Sequence, residues 1–137
     1  MNVKETIKRI HVVAGIIWNS SNDCLLISRR PIELHKGGYW EFPGGKVENG
    51  ESEEEALVRE LREELDIGFS GSEKFCVIEH DYPEKQVKLA FYHVREVSGE
   101  PVGMQGQEWR WIPVAELSHY QFPEANQPVV EALIKTV

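Results

Sequence analysis

Glu60, Glu63 and Glu64 stand at i, i+3 and i+4 of a segment with helical periodicity. Residues three and four apart share one face of a helix, so this spacing crowds three carboxylates together. Their mutual repulsion must be offset. A divalent cation that prefers hard oxygen donors, Mg²⁺ or Mn²⁺, does so. A magnesium site made of a few carboxylates completes its shell with water and substrate phosphates. The three glutamates therefore point to metal-assisted chemistry on a phosphorylated small molecule.

The helix that must carry them is legible on either side. Leu57, Leu61 and Leu65 repeat at i, i+4 and i+8, an apolar stripe able to dock on a core. Glu64 borders that stripe on a helical wheel, and Glu60 and Glu63 lie further round. Acidic side chains at the margin of a core are better explained by a site than by solvation. Glu53, Glu54 and Glu55 carry no such argument and read as an ordinary solvated face. Ser52 with Glu55 three residues on is a capping-box pattern that fixes the helix start. Upstream, Phe42-Pro43-Gly44-Gly45 reads as a loop bringing backbone close to whatever the carboxylates hold.

The stretch resembles the signature of the Nudix hydrolases, G-x5-E-x7-R-E-U-x-E-E-x-G-U, where U is a bulky aliphatic residue. Gly45, Glu51, Arg59, Glu60, Leu61, Glu63, Glu64 and Ile67 match it position by position. Asp66 stands where the pattern has Gly. A left-handed helix end suits that position, and Asp tolerates left-handed backbone better than most residues. The resemblance implies an α+β fold, a mixed β-sheet sandwiched between α-helices, in a single domain spanning residues 1–137.

Beyond the signature, nearly the whole chain resembles the bacterial branch of that family that hydrolyses the oxidised nucleotide 8-oxo-dGTP. The matching segments are Glu41 to Lys46, Ser28-Arg29-Arg30 with His35, Tyr82-Pro83-Glu84, and Phe122 to Val129. This likeness implies substrate-binding roles for Arg30, His35, Phe42, Tyr82 and Asn126. Asn126 also precedes a Pro-initiated helix, where Asn is a good N-cap whose loss costs roughly 1 kcal/mol. Its residue type alone favours the cap; its amide also carries both a donor and an acceptor that can pair with a purine edge, and the resemblance favours that reading. Phe42 and Tyr82 are packing residues or stack on a base. Arg30 braces the base or reaches a phosphate, and His35 shapes the loop.

By the same resemblance, the reaction is attack of water at the β-phosphorus of a nucleoside triphosphate, giving monophosphate and pyrophosphate. Glu60, Glu63, Glu64 and the Gly44 carbonyl are the implied metal ligands. Arg59 orients glutamates, Glu51 or Glu63 above all. Glu60 is the first choice for general base, and a loop residue is the alternative. The chain departs from the branch in that loop: Gln105 appears where a glutamate is expected, and Glu108 is the nearest carboxylate able to replace it. The favoured substrate is 8-oxo-dGTP. CTP, a modified dCTP or dGTP is the alternative, and a non-catalytic nucleotide-binding module the third.

Composition agrees. A chain of 137 residues suits one core. Of the formal net charge of −8, the segment Lys46–Asp66 carries −6, so the acidity is local to the proposed site. No basic patch suggests binding to duplex nucleic acid. Cys24 and Cys76 sit alone in strand-like runs and read as buried reduced thiols, which favours the cytoplasm. Lys4, Lys8 and Arg9 before Val12–Trp18 have the outline of a secretory signal. The apolar run is short, lacks a cleavage site and reads as a first strand. No run is long enough to cross a membrane, and a monomer acting on a free nucleotide is expected. The patterning predicts strands at 10–18, 24–29, 75–80, 87–97 and 108–112 and a helix near 53–65. A terminal helix is expected on the stripe Val129, Val130, Leu133, Ile134, Val137.

Overall fold

The structure is a computed structural model that describes residues 9–31 and 37–136. Lys4, Lys8, His35 and Val137 lie outside the described residues. The strands are β1 (Ile10–Trp18), β2 (Cys24–Arg29), β3 (Trp40–Glu41), β4 (Gly44–Lys46), β5 (Gly68–Asp81), β6 (Gln86–Ser98) and β7 (Trp109–Pro113). Helix α1 spans Glu53–Leu65 and α2 spans Gln127–Ile134, preceded by 3-10 turns at Val114–His119 and Glu124–Asn126. Among the described residues the seven strands form one mixed sheet.

β1 is its spine. It pairs in parallel with β6 from Ile10↔Val87 to Ile17↔Val94. It meets β2 only beside their turn, at Ile17↔Leu26 and Trp18↔Leu25. Where β1 and β2 part, the segment that follows β2 fills the gap. β4 pairs with β1 at Val12–Ala14, and β3 pairs with β2 at Ser28 and Arg29. The predicted loop at Phe42–Gly45 is thus corrected: Gly44 and Gly45 open a short strand. Two glycines give no alternating pattern to read, and the pairing uses backbone alone.

Side-chain alternation builds a core on each face. On one face Val13 and Ile17 meet Leu57, Leu61, Leu65 and Ile67, all fully buried. This places the predicted leucine stripe of α1 against the sheet. On the other face Ala14, Ile16 and Trp18 pack with Phe42, Phe91 and Phe122 and with Val129, Val130 and Leu133 of α2. Burying one such side chain contributes about 1.5–3 kcal/mol, so two clusters hold helices against both faces. β5 and β6 run longer than their apolar patterns indicate. The Gly68–Lys74 half of β5 is polar and mostly exposed, and it joins by backbone pairing at the sheet edge. Cys24 and Cys76 are free thiols, partly rather than fully buried.

Candidate active site

Helix α1 enters and leaves as its sequence predicts. The Ser52 hydroxyl accepts the Glu55 N–H at 3.0 Å, and the Glu55 carboxylate accepts the Ser52 N–H at 2.9 Å. At the other end Asp66 adopts φ 55° and ψ 40°, the left-handed conformation expected where the signature has Gly. Its N–H donates to the Arg62 carbonyl at 3.1 Å.

Between these ends Arg59 is the organising cation. Its Nε and Nη2 grip Glu51 in a fork at 2.7 and 2.9 Å, and Nη2 also reaches the Lys46 carbonyl at 3.0 Å. Its Nη1 contacts Glu60 at 2.9 Å and Glu63 at 3.2 Å. The Arg59 bond, helped by the Glu48 N–H, lowers the Glu51 carboxyl to about 2. Glu51 is thereby the anchor of Arg59, and Arg59 braces two of the three predicted metal-face carboxylates.

β4 supplies the opposite wall. The Glu60 carboxylate lies directly against Gly45, where any Cβ would overlap it. A Cβ on Gly44 would overlap the Val13 carbonyl of β1. Close approach to backbone requires Gly44, whereas a Cβ at Gly45 would displace the Glu60 carboxylate from its place. The Glu64 carboxyl is pushed up to about 9 by burial, with the negative charges of Glu41 and Glu60 adding to the rise and the Gly44 N–H opposing it. Glu41 is a member of this acid group that the sequence reading left unassigned. Its own carboxyl is raised by burial, against the lowering effect of Arg30.

Glu63 differs from Glu60 and Glu64. Its side chain is 56% exposed and turned to Arg59. Among the described residues no three His, Cys, Asp or Glu side chains converge as a preformed metal cage. The expected three-carboxylate face is therefore a half-buried pair, Glu60 and Glu64, with the exposed Glu63 turned away from it. The donors still suit a hard cation: all are oxygens, and Glu64 is burdened by adjacent negative charge that a cation would neutralise. Such a site draws its remaining ligands from water and substrate.

A cavity of about 220 Å³ adjoins this seam and shares Glu41, Gly44 and Gly45 with it. Its apolar lining includes Val12, Ala14, Leu89 and Phe91, brought side by side by the parallel β1–β6 register. Phe42 also lines it; this ring is 3% exposed, stacked on Phe122 at 5.0 Å and edge-on to Phe91 at 6.0 Å. Tyr82 and Asn126, both buried, complete the described aromatic and amide groups. Arg30 lines the cavity with Nη1 on Glu41 at 2.7 Å. Of the predicted substrate residues the structure brings together Arg30, Phe42, Tyr82 and Asn126; His35 lies outside the described residues.

Asn126 corrects the capping expectation. It occupies the N-cap position of α2, but its backbone is already helical (φ −89°, ψ −12°) and its side chain makes no cap bond. Among the described residues that amide has no hydrogen-bond partner, although Asn126 is only 9% exposed. Lys46 and Lys85, unassigned from sequence, also line the cavity. Burial and the repulsion of Arg30 and Lys46 lower the Lys85 pKa. These cations are hidden in a net charge dominated by α1.

The loop before β7 docks on the end of α1. The Met104 N–H and the Gln107 Nε2 both donate to the Glu64 carbonyl at 3.0 Å, and Val102 N–H to that of Leu65 at 2.9 Å. These bonds satisfy carbonyls that a helix terminus leaves open. Gln107 also accepts the Gln105 N–H at 2.9 Å. Glu108 faces elsewhere, held by Arg110 at 2.7 Å and Arg29 at 3.4 Å, and Arg110 first of all lowers its pKa. The expected substitution of Glu108 for a loop base is not supported by this geometry. Glu53 is a further correction. Far from being solvated, its side chain is 13% exposed and accepts from His11 and Tyr92 at 2.7 Å and from Lys74 at 3.0 Å. Burial alone would raise its carboxyl, but these bonds outweigh it and hold the group at about 2.

Residues 13–132 match the family model described as the NUDIX domain. The 8-oxo-dGTP diphosphatase of Escherichia coli K12 is 39% identical over 126 residues, covering 92% of this chain and 97% of that protein. The CTP pyrophosphohydrolase of the same organism is 35% identical over 127 residues, covering 93% of each. A solved structure of MutT, from a study of the Aliivibrio salmonicida and Vibrio cholerae proteins, superposes with a TM-score of 0.80 at 43% identity. It covers 94% of this chain and 98% of that one. Among the described residues no helix is long and apolar enough to cross a membrane. With the glutamate-bearing helix, the glycine strand against it and the two-sided sheet all in place, the chain belongs to the Nudix hydrolases.

Proposed function

We propose that this enzyme hydrolyses 8-oxo-dGTP to 8-oxo-dGMP and pyrophosphate, removing an oxidised nucleotide before a polymerase can use it. The observation that carries this reading is the Asn126 amide, buried, without a partner among the described residues, and on the wall of an apolar cavity. An 8-oxo-purine differs from guanine at N7, which becomes a donor, and at C8, which gains a carbonyl. A side chain with both donor and acceptor can answer that edge. The cavity, about 220 Å³, is smaller than the ~300–1,000 Å³ that encloses whole drug-sized ligands. It suits a base, with sugar and phosphates directed toward Lys46, Lys85 and the acid seam.

Nudix hydrolases generally need a divalent metal. In this chain Glu60 and Glu64, with Glu63 and the Gly44 carbonyl, would hold it, and Mg²⁺ is the proposed ion, with Mn²⁺ as a substitute. When bound, such a cation offsets phosphate charge and acidifies the attacking water. Glu60, kept in line by Arg59, would accept the proton of the attacking water. Arg30, braced by Glu41, borders the base and Phe42 walls it. The enzyme works as a monomeric single domain in the cytoplasm.

A substrate panel tests this reading. Pyrophosphate release from 8-oxo-dGTP, dGTP, CTP and modified dCTP should be measured with and without Mg²⁺. A kcat/KM for 8-oxo-dGTP well above the others is expected. Equal efficiency on dGTP or CTP would sink the sanitising role and leave the Nudix chemistry standing. No release from any of them would point to a binding module.

A further inference from the structure

Tyr82 stands in the turn between β5 and β6, yet its hydroxyl reaches a distant part of the chain. Its hydroxyl oxygen accepts the Ala125 N–H at 2.9 Å in a buried setting. Around this bond Tyr82, Val87 and Ala125 form a small core of their own, joined by Ile10 and Leu89. The ring is 8% exposed and edge-on to His80 at 4.6 Å. Packing alone would be served by phenylalanine. The hydroxyl is needed for the N–H.

That N–H belongs to the 3-10 turn Glu124–Asn126. A turn this short has few internal bonds: Asn126 N–H donates to the Pro123 carbonyl at 2.9 Å, and Gln127 N–H to the Glu124 carbonyl. Donors at the start of a helical turn have no partner within it. Ala125 is 1% exposed, so water is not at hand to take the bond. Asn126, the next residue, has a side chain with no anchor among the described residues. Its direction is therefore set by the backbone of the turn, and that backbone is tied down by the Tyr82 hydroxyl. The ion pair of His80 with Glu124, at 3.8 Å and exposed on the Glu124 side, is a weaker second tie from the adjoining end of β5.

We propose that the Tyr82 hydroxyl is a positioning group for base selectivity, acting through the Ala125 amide to hold the Asn126 amide at the cavity wall. This rests on the reading of Asn126 as the group that meets the base. Tyr82 thus does more than wall the cavity: it fixes the register of the reader.

Tyr82→Phe keeps the ring and removes only the oxygen. Kinetics on 8-oxo-dGTP and dGTP should be compared for wild type, Tyr82→Phe, Asn126→Ala and the double variant. Tyr82→Phe is expected to raise KM for 8-oxo-dGTP about fivefold, the scale of one net hydrogen bond, with the loss in KM rather than kcat. The selectivity over dGTP should fall by the same factor. On the Asn126→Ala background Tyr82→Phe should add nothing, because residues acting in series do not sum. Amide exchange at Ala125 should accelerate in Tyr82→Phe while β1 and β6 keep their protection, which separates a local release from unfolding. Wild-type selectivity in Tyr82→Phe, or a full additive loss in the double variant, would overturn the proposal while leaving Asn126 as reader. Wild-type selectivity in Asn126→Ala would overturn the base-reading assignment itself.

Discussion

The acid seam and the base cavity are neighbours built on opposite plans. In the seam nearly every polar side chain is held by another from the same stretch: Arg59 alone engages Glu51, Glu60, Glu63 and the Lys46 carbonyl. In the cavity, Arg30, Phe42, Tyr82 and Asn126 arrive from four separate segments, and the Asn126 amide has no partner among the described residues. One region is stiffened by its own cross-bracing and offers charge. The other is stiffened by apolar packing and leaves a polar group for the ligand. On the proposed reading, chemistry belongs to a contiguous stretch and selectivity to a convergence of distant ones.

The largest effect should come from the seam. Glu64→Gln and Glu60→Gln should each lower kcat by on the order of 100-fold or more, beyond the 10–100-fold typical of outer partners of a metal site. Both variants should stay folded. Near-wild-type turnover of either at saturating Mg²⁺ would show that this face does not hold the metal and would break the contrast at its root.

Next is Glu53, whose bonds tie α1 to three strands. Its carboxyl sits at about 2 in the fold, below the ordinary 4.5. A depressed carboxylate contributes stability above its ordinary value and loses it as pH falls through about 2. Glu53→Gln should therefore cost about 2 kcal/mol at neutral pH, the scale of hydrogen bonds to a charged group. Urea unfolding between pH 2 and 6 should show the gap from wild type narrowing as the solution is acidified. A gap independent of pH would mean that packing, not charge, is what the variant loses.

In the cavity, Asn126→Ala should leave the thermal midpoint nearly unmoved, because no cap bond is lost. A loss of about 1 kcal/mol, the usual cost of removing a cap, would restore the capping role and weaken the contrast. The smallest effect belongs to the loop. Gln105→Glu should be tolerated with a modest rise in activity. Glu108→Gln should leave the pH–rate profile unchanged, since its carboxylate serves Arg29 and Arg110. A lost ionisation in that profile would reinstate Glu108 as a base.

The same division explains what could be read before the structure. β1, β2 and α1 have the predicted bounds because burial on one or both faces writes a periodic pattern. The capping box and the left-handed Asp66 are local chemistry and follow from spacing. β4 was illegible because its glycines are selected by the nearness of Val13 and Glu60, which no neighbouring residue reveals. Glu53 looked solvated because its partners, His11, Lys74 and Tyr92, come from three different strands. Glu63 was given the same metal-ligand role as Glu64, yet one turns to Arg59 and the other is half-buried near Glu41. Helical spacing puts them on adjoining faces without saying which face the glycine strand will cover. Asn126 was placed correctly at the N-cap position, but position did not determine what its amide does.

The parallel register of β1 with β6 has a consequence for how the molecule assembles. β5 and β6 are joined by a short turn and can pair as soon as they are made. β1 must find a strand more than half the chain away, a closure that is slow because its entropy is lost before contacts compensate. Gly44 and Gly45 pair with this same β1, so the strand that makes the long closure also carries the glycine wall. The wall that Glu60 and Glu64 face thus depends on β1, and a chain whose β1 is unpaired carries the glutamates without that wall.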